Sequence, residues 1–489
     1  MFQPTRPRPG SPVCSPAIVM RVAFGAVLVL GVLMGGCLSS PRTDVDSARA
    51  IADATGIAAP VDFKVVGPDG GPLDEPEPVG ATLTLAEAVR RAVTTDPGLQ
   101  AAMARVRVAV ADSDQARLLP NPVLNVILRW GPGKPQIEAS LAQDFVRALQ
   151  LPRRADAADN RLRQVAADAV AEALEVTSEV QERYAAAQAS AALAPLLQER
   201  VLLLEKLAAT AKARLDAGEG TRGDVTTLDA QRVELQVEIA GVRLTERQER
   251  LRLARLVGEP SSAATWELDR WSAPSIGDQP ETAWIDAGLR QRPEIQSVAW
   301  RLRALGDDEA LLRLLPWEGA SAGVDAQRDN EWFVGPSVST PIPVFDTGQA
   351  ARARVSAEQT EARHDLTLAR RKVVEEVRIA FQTLAESKAN LARIQDEFIP
   401  LQRQRRQLAE DAYRAGQTDV TALFLAEQDL RVAESRSIEV ERQAATALVR
   451  LQRAVGGPGV AESLVHPVVA PPPRSDNAGR PIASIPRHP

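Results

Sequence analysis

The chain has 489 residues and a net charge of −6, and only 4% of its residues are aromatic. That balance offers no basic footprint for nucleic acid, and three histidines with two cysteines cannot supply a zinc cluster or a disulfide framework. Alanine, leucine, arginine and glutamate dominate the middle of the chain, which is the composition of long helices.

The first feature in chain order is a leader. Met20-Arg21 precedes an apolar run from Val22 to Met34, followed by Gly35-Gly36-Cys37. A positive start, a short apolar stretch and small residues before a cut are the marks of a secretory signal. The run is too short for a transmembrane helix, which needs about 20 residues. Its end resembles a bacterial lipobox, with Met34 where leucine is usual, and that resemblance implies cleavage before Cys37 and lipid attachment to it. The competing reading is an ordinary signal with a chance cysteine. Leu38 stands where an inner-membrane retention signal would carry aspartate. Residues 1–36 are therefore read as the signal peptide, with Met20 as an alternative start, and 37–81 as an N-terminal linker.

An internal repeat organises the rest of the chain. Pro97 recurs as Pro293, Leu118-Leu119-Pro120 as Leu314-Leu315-Pro316, and Ala217-Gly218 as Ala415-Gly416. Asp224-Val225-Thr226 recurs as Asp419-Val420-Thr421, and Val257-Gly258 as Val455-Gly456, all at offsets of 195 to 198. The period is far longer than a solenoid unit of about 20–50 residues, so a whole structural unit is duplicated. The repeats are placed at 82–260 and 284–456, with a connector at 261–283. A proline-rich tail without periodicity, expected to be disordered, occupies 457–489.

Each repeat reads as helix, two strands, long helix, tip, long helix. Thr84 with Glu87 predicts a capping box, and Pro97 suits the first turn of a helix that Pro120 and Pro122 end. From Val123 to Trp130 the period becomes two, with Leu124, Val126, Leu128 and Trp130 opposite Asn125 and Arg129. After Gly131-Pro132-Gly133-Lys134-Pro135, Ile137, Ala139 and Leu141 stand opposite Glu138, Ser140 and Asp144. The second repeat sets Ala320, Ala322, Val324 and Ala326 opposite Ser321, Asp325 and Gln327, then Trp332, Val334 and Val338 opposite Ser337 and Ser339. Alternation of this length is the pattern of membrane β-barrel strands. Trp130 and Trp332 at one end, with Phe145 and Trp317 at the other, suit an interfacial belt. A small soluble pair of hairpins is the competing reading.

The helices are longer than a globular core needs. From Arg153 to Ala217 there is no glycine and one internal proline, Pro195, a reach of about 97 Å at 1.5 Å per residue. Thr347 to Ala415 is comparable, interrupted by Gly348 and Pro400. Val180, Tyr184, Ala187 and Ala191 show the spacing of packed helices. Pro195 and Pro400 are expected to bend their helices without ending them.

Duplicated halves, the Leu118-Leu119-Pro120-Asn121-Pro122 approach to the first strand, the tips and the lipobox together resemble the TolC family of outer-membrane efflux channels. The run Pro341-Ile342-Pro343-Val344-Phe345-Asp346-Thr347-Gly348-Gln349 is similar to the strand-to-helix junction of its cation-efflux, CzcC-type branch. The resemblance implies a mainly α chain with a small β part: long helical hairpins and four strands per chain, forming a trimeric α/β-barrel channel. It implies the exit duct of a tripartite pump, anchored in outer-membrane lipid, extending into the periplasm, and working with an adaptor protein and an inner-membrane pump. Metal cations are the cargo that the branch suggests, and no cofactor or bound metal is implied. A lipid-anchored periplasmic coiled-coil adaptor or scaffold is the alternative. An adaptor, however, has one helical hairpin between β-rich halves, whereas this sequence has two hairpins and two strand pairs.

By the same resemblance the tips form the periplasmic end and dock the adaptor. Arg214, Gly218, Thr221 and Val225 mark the first tip, and Tyr413, Gly416, Thr418 and Val420 the second. Asp224 and Asp419 correspond to the family's acidic constriction, where three copies of each would ring one axis and attract cations. The family's second acidic position is here Ala422. Plain capping of the returning helices is the competing role for both aspartates. Enzyme motifs are missing: Gly133-Lys134 is no phosphate loop, Gly335-Pro336-Ser337-Val338-Ser339 is no nucleophile elbow, and His364 lies in a polar helix.

Overall fold

The computed structural model describes residues 45–58, 61–64, 78–132, 135–269, 279–328, 331–415, 417–418 and 420–465, without the side chains of Asp224, Val420 and Val465. The leader and Cys37 lie outside the described residues. In chain order come α1 (Ser47–Thr55), β1 (Thr82–Leu83), α2 (Leu85–Thr95), α3 (Pro97–Ala116), β2 (Val123–Arg129), β3 (Gln136–Asp144), α4 (Phe145–Asp216) and α5 (Arg222–Leu256). The second half continues as β4 (Glu267–Leu268), α6 (Glu281–Gln291), α7 (Pro293–Leu312), β5 (Ser321–Arg328), β6 (Trp332–Ser339), α8 (Gln349–Ala392), α9 (Ile399–Arg414), α10 (Val420–Val455) and α11 (Pro458–Val465).

The repeat is structural. Pro97 and Pro293 each open a helix, where a missing N–H costs nothing. Gly258 and Gly456 each follow a long returning helix at positive φ, +87° and +108°, a conformation that glycine adopts without a Cβ penalty. The halves differ at the residue before each proline. The Asp96 carboxylate accepts the Leu99 N–H at 2.9 Å. Arg292, at the matching place, is only 4% exposed and pairs with Glu294 at 2.9 Å and Glu376 at 2.7 Å.

Helix α4 runs for 72 residues, about 108 Å at 1.5 Å per residue. It begins eight residues before the predicted Arg153, because the Asp144 side chain accepts the Arg147 N–H at 2.9 Å and caps it at the end of the strand. It continues through Pro152 and Pro195. In the second half α8 passes through a π-helical segment, Arg393–Phe398, into α9, and Pro400 falls in the first turn of α9. Thr84 caps α2 through the Glu87 N–H at 3.1 Å. Glu87 turns its carboxylate to Arg90 and Arg91, so only half of the expected capping box forms.

Two cores lie midway along the helices. One joins Ile51, Leu83, Leu99, Leu162, Val180, Tyr184, Leu253 and Trp266; the other joins Trp284, Ile295, Val377, Leu451 and Ala461. Toward the tips the hairpins are held by smaller clusters, Leu197 to Leu207 with Leu235 and Ile239, and Ile394 and Ile399 with Leu430 and Ala433. Tyr184 is a knot in the first core: its hydroxyl donates to the Leu83 carbonyl at 2.8 Å and accepts from the Asp269 N–H at 2.9 Å. It thereby clamps the parallel pair β1–β4, which ties the start of the first repeat to the connector.

Two expectations about the ends are corrected. The linker at 37–81 contains α1, with Ile51 fully buried, and the tail read as disordered from 457 is helical over Pro458–Val465. The two segments meet backbone to backbone. A Cβ on Gly457 would lie 2.1 Å from the Ala54 carbonyl oxygen, and one on Gly459 would lie 2.2 Å from that of Asp53. Residues 466–489 lie outside the described residues.

Candidate functional site

The β part is one antiparallel sheet in the order β2-β3-β5-β6, so the hairpins of the two repeats join at β3–β5. Side chains directly opposite one another share a face. The pairs Leu124–Leu141, Val126–Ala139 and Leu128–Ile137 continue as Leu141–Val324 and Ala139–Ala326, then as Ala326–Val334 and Ala322–Val338. They form an apolar face, with Gln143 at its helix end and Arg328 at its turn end, that no described residue covers: Leu124 is 67% and Val338 73% exposed. The other face carries Asn125, Arg129, Glu138, Asp325 and Ser337, with an Arg129–Glu138 ion pair and a Ser337–Asp325 hydrogen bond at 3.0 Å. The polar face also holds Ile127 and Phe333, which the alternation did not assign.

The strands hold seven to nine residues, about 23–30 Å at 3.3–3.4 Å each. That suits an apolar band of about 25 Å in an outer-membrane barrel. Trp130 and Trp332 flank the turn end of the sheet, and Phe145 and Trp317 the helix end, all exposed. No helix among the described residues is long and apolar enough to cross a membrane. The outer edges of β2 and β6 have no strand partner among the described residues, and because the sheet is antiparallel with an even strand number these two strands run in opposite directions. A head-to-tail ring of copies therefore closes antiparallel, and closure removes the two edges that a lone sheet leaves open.

At the opposite end lie the tips. In the first, Ala217 ends α4 and Gly218 follows at φ +79°. The Glu219 N–H donates to the Arg214 carbonyl at 2.8 Å, and in the second tip the Gln417 N–H donates to that of Ala412 at 2.9 Å. This is the same helix-closing bond in both repeats, of the kind a left-handed residue makes at a helix end. Thr221 immediately precedes α5, so Asp224 is its third residue, a first-turn position that favours negative charge. Asp419 and Gly416 lie outside the described residues, and Val420 opens α10. Tyr413 and Thr418 are exposed, Val225 is half-buried, and the neighbouring Arg414 pairs with Glu410. Among the described residues no group of three His, Cys, Asp or Glu is placed to hold a metal ion.

No family model matches the chain. It is 25% identical over 283 residues to the outer membrane efflux protein BepC of Brucella suis, covering 54% of this chain and 59% of that protein. The chain thus matches about three fifths of the length of that curated relative. Among solved structures, the outer membrane protein VceC of Vibrio cholerae superposes with a TM-score of 0.63 at 18% identity, over 76% of this chain and 96% of that one. The outer-membrane channel OprN gives 0.63 at 20% identity, over 86% and 99%. The chain has the TolC fold. That fold has a place for both oddities of this chain, a sheet apolar on one face and open at its edges, and a helix of 72 residues.

Arg292 and its partners Glu294 and Glu376 escaped the sequence reading. Burial opposes its charge, but the two carboxylates outweigh it and hold the guanidinium above its ordinary pKa. The only local signal is Arg292-Pro293-Glu294 at a helix start.

Proposed function

We propose that the chain is the outer-membrane exit duct of a tripartite efflux pump, passing substrates from the periplasm by gated passage rather than by catalysis. Three copies close a barrel of about twelve strands, and their helices continue it as a periplasmic tunnel. The observation that carries this reading is the four-stranded sheet, apolar on one face and open at two oppositely directed edges, mounted on helices of up to 72 residues. The name of the Brucella relative, an efflux protein, supports the direction of transport. Cys37 carries the lipid anchor, Asp224 and Asp419 form the acidic entrance, and the tip residues from Arg214 to Val225 and from Tyr413 to Val420 dock the adaptor. An acidic entrance favours cationic cargo.

Topology tests the reading against a lipid-anchored periplasmic scaffold. A cysteine at Gly131, in the β2–β3 turn, should react with a membrane-impermeant maleimide on intact cells. One at Gly218 should react only after the outer membrane is permeabilised. Labelling of neither position on intact cells would favour the scaffold.

A further inference from the structure

Beyond strand β6 the chain makes a short apolar hook. Ile342 is 82%, Val344 68% and Phe345 93% exposed. The hook is stiff. Pro341 and Pro343 fix the backbone, and the Val344 N–H folds back to the Ile342 carbonyl at 2.9 Å, a γ-turn. Its base is pinned as well, with the Gly348 N–H on the Asp346 carboxylate at 2.8 Å and Gly348 packed over Leu315. A large apolar cluster held rigidly in the open marks an interaction site, and none of the described residues covers it.

Resting on the closed-ring reading above, we infer that the hook seats on the next copy of this chain, against the exposed stripe of its α3 and the approach to its β2. Strand direction selects that partner. Edge β6 runs opposite to edge β2, so the C-terminal end of β6 in one copy meets the N-terminal end of β2 in the next. The hook leaves the first of these ends. Leu118 and helix α3 lead into the second, and Phe345 lies about as many residues beyond Ser339 as Leu118 lies before Val123. Exposed apolar side chains mark the receiving surface in the single chain: Val108 is 61%, Leu118 56% and Val123 66% exposed, and Ala111 is exposed on the same side of α3, with Asp112 and Gln115 as the polar residues among them. The contact is heterologous, hook to stripe, and repeats around a closed ring. It would lock the junction between barrel and tunnel, where hydrogen bonds between strands end and those within helices have not begun.

Full-length copies carrying F345C under one tag and L118C under another, co-expressed in the outer membrane, test this with a short bis-maleimide. A cross-link joining the two tags is expected, and neither variant expressed alone should give one. The variant F345D should lose the SDS-resistant oligomer at temperatures where the parent keeps it. If the parent is a stable oligomer, yet no mixed cross-link forms and F345D dissociates at the parent's temperature, the hook does not seat on a neighbouring copy. An environment-sensitive dye at Phe345→Cys that reports lipid in that case would assign the hook to the membrane surface and overturn the inference. A parent that is monomeric in membranes would refute the closed ring itself, and the hook contact with it.

Discussion

Gly323 sits where the two repeats join, opposite Ala142 on β3. A Cβ added there would lie 2.2 Å from the Leu141 carbonyl oxygen and 2.9 Å from the Ala142 Cα. Both neighbours are backbone, so no rotamer change can relieve the contact, and the strands must part by roughly 0.8 Å to reach even 3.0 Å. A ladder bond near 2.9 Å would then stretch to about 3.7 Å, beyond hydrogen-bonding range. Losing the two nearest bonds at about 0.5–1.5 kcal/mol each destabilises the β3–β5 seam by about 1–3 kcal/mol. Gly335 on β6 is the control, because a Cβ there meets nothing within 4 Å. Gly323→Ala should therefore lower the temperature at which the SDS-resistant oligomer dissociates, while Gly335→Ala leaves it unchanged. Equal dissociation temperatures for the two variants would refute the close approach of the repeats at this seam.

Tyr184→Phe removes both hydroxyl hydrogen bonds of a buried ring and should cost about 1–3 kcal/mol in denaturant unfolding, with faster amide exchange at Leu268 and Asp269. Burial pushes the Tyr184 phenol up to about 12 against the donated Asp269 amide. Since its folded pKa lies above the unfolded value near 10, its stabilisation is complete below pH 10 and is lost as pH rises toward 12; the phenylalanine variant should lack that alkaline loss. Cys37→Ser should remove the acyl mass and leave the oligomer intact, because strand pairing and helix packing do not use the lipid; a lipidated serine variant or an unlipidated parent would exclude the anchor. Asp224→Asn with Asp419→Asn keeps a capping oxygen and removes charge, so assembly should survive while cation selectivity in bilayer recordings falls; unchanged selectivity would leave both residues as caps.

The strands were legible because a sheet with one apolar and one polar face alternates along each strand. Leu124, Val126 and Leu128 face Leu141, Ala139 and Ile137 in the register that the alternation implies. The long helices were legible from the missing glycines, and the helix starts from Pro97 and Pro293. The features that escaped depend on partners far away in sequence. Helices α1 and α11 are short, and their meeting needs glycines at 457 and 459 to let two backbones touch. Tyr184 reads as one more packed-helix position, and only the fold brings Leu83 and Asp269 to its hydroxyl. The glycine-free run from Arg153 does not mark where α4 begins, because its start is set by the Asp144 side chain on the Arg147 N–H at the end of β3. For the proposed acidic entrance, Asp419 is known from sequence alone and Asp224 from its place in the first turn of α5, a place that suits capping equally.

Single-channel recording of the purified full-length protein in planar bilayers tests the central claim most directly. Closure of the open sheet by neighbouring copies should give discrete, long-lived conductance steps that are cation-selective and blocked by divalent ions from the side of the tips. A protein that inserts or binds without any conductance step, in a preparation shown to be folded and oligomeric, would contradict the duct.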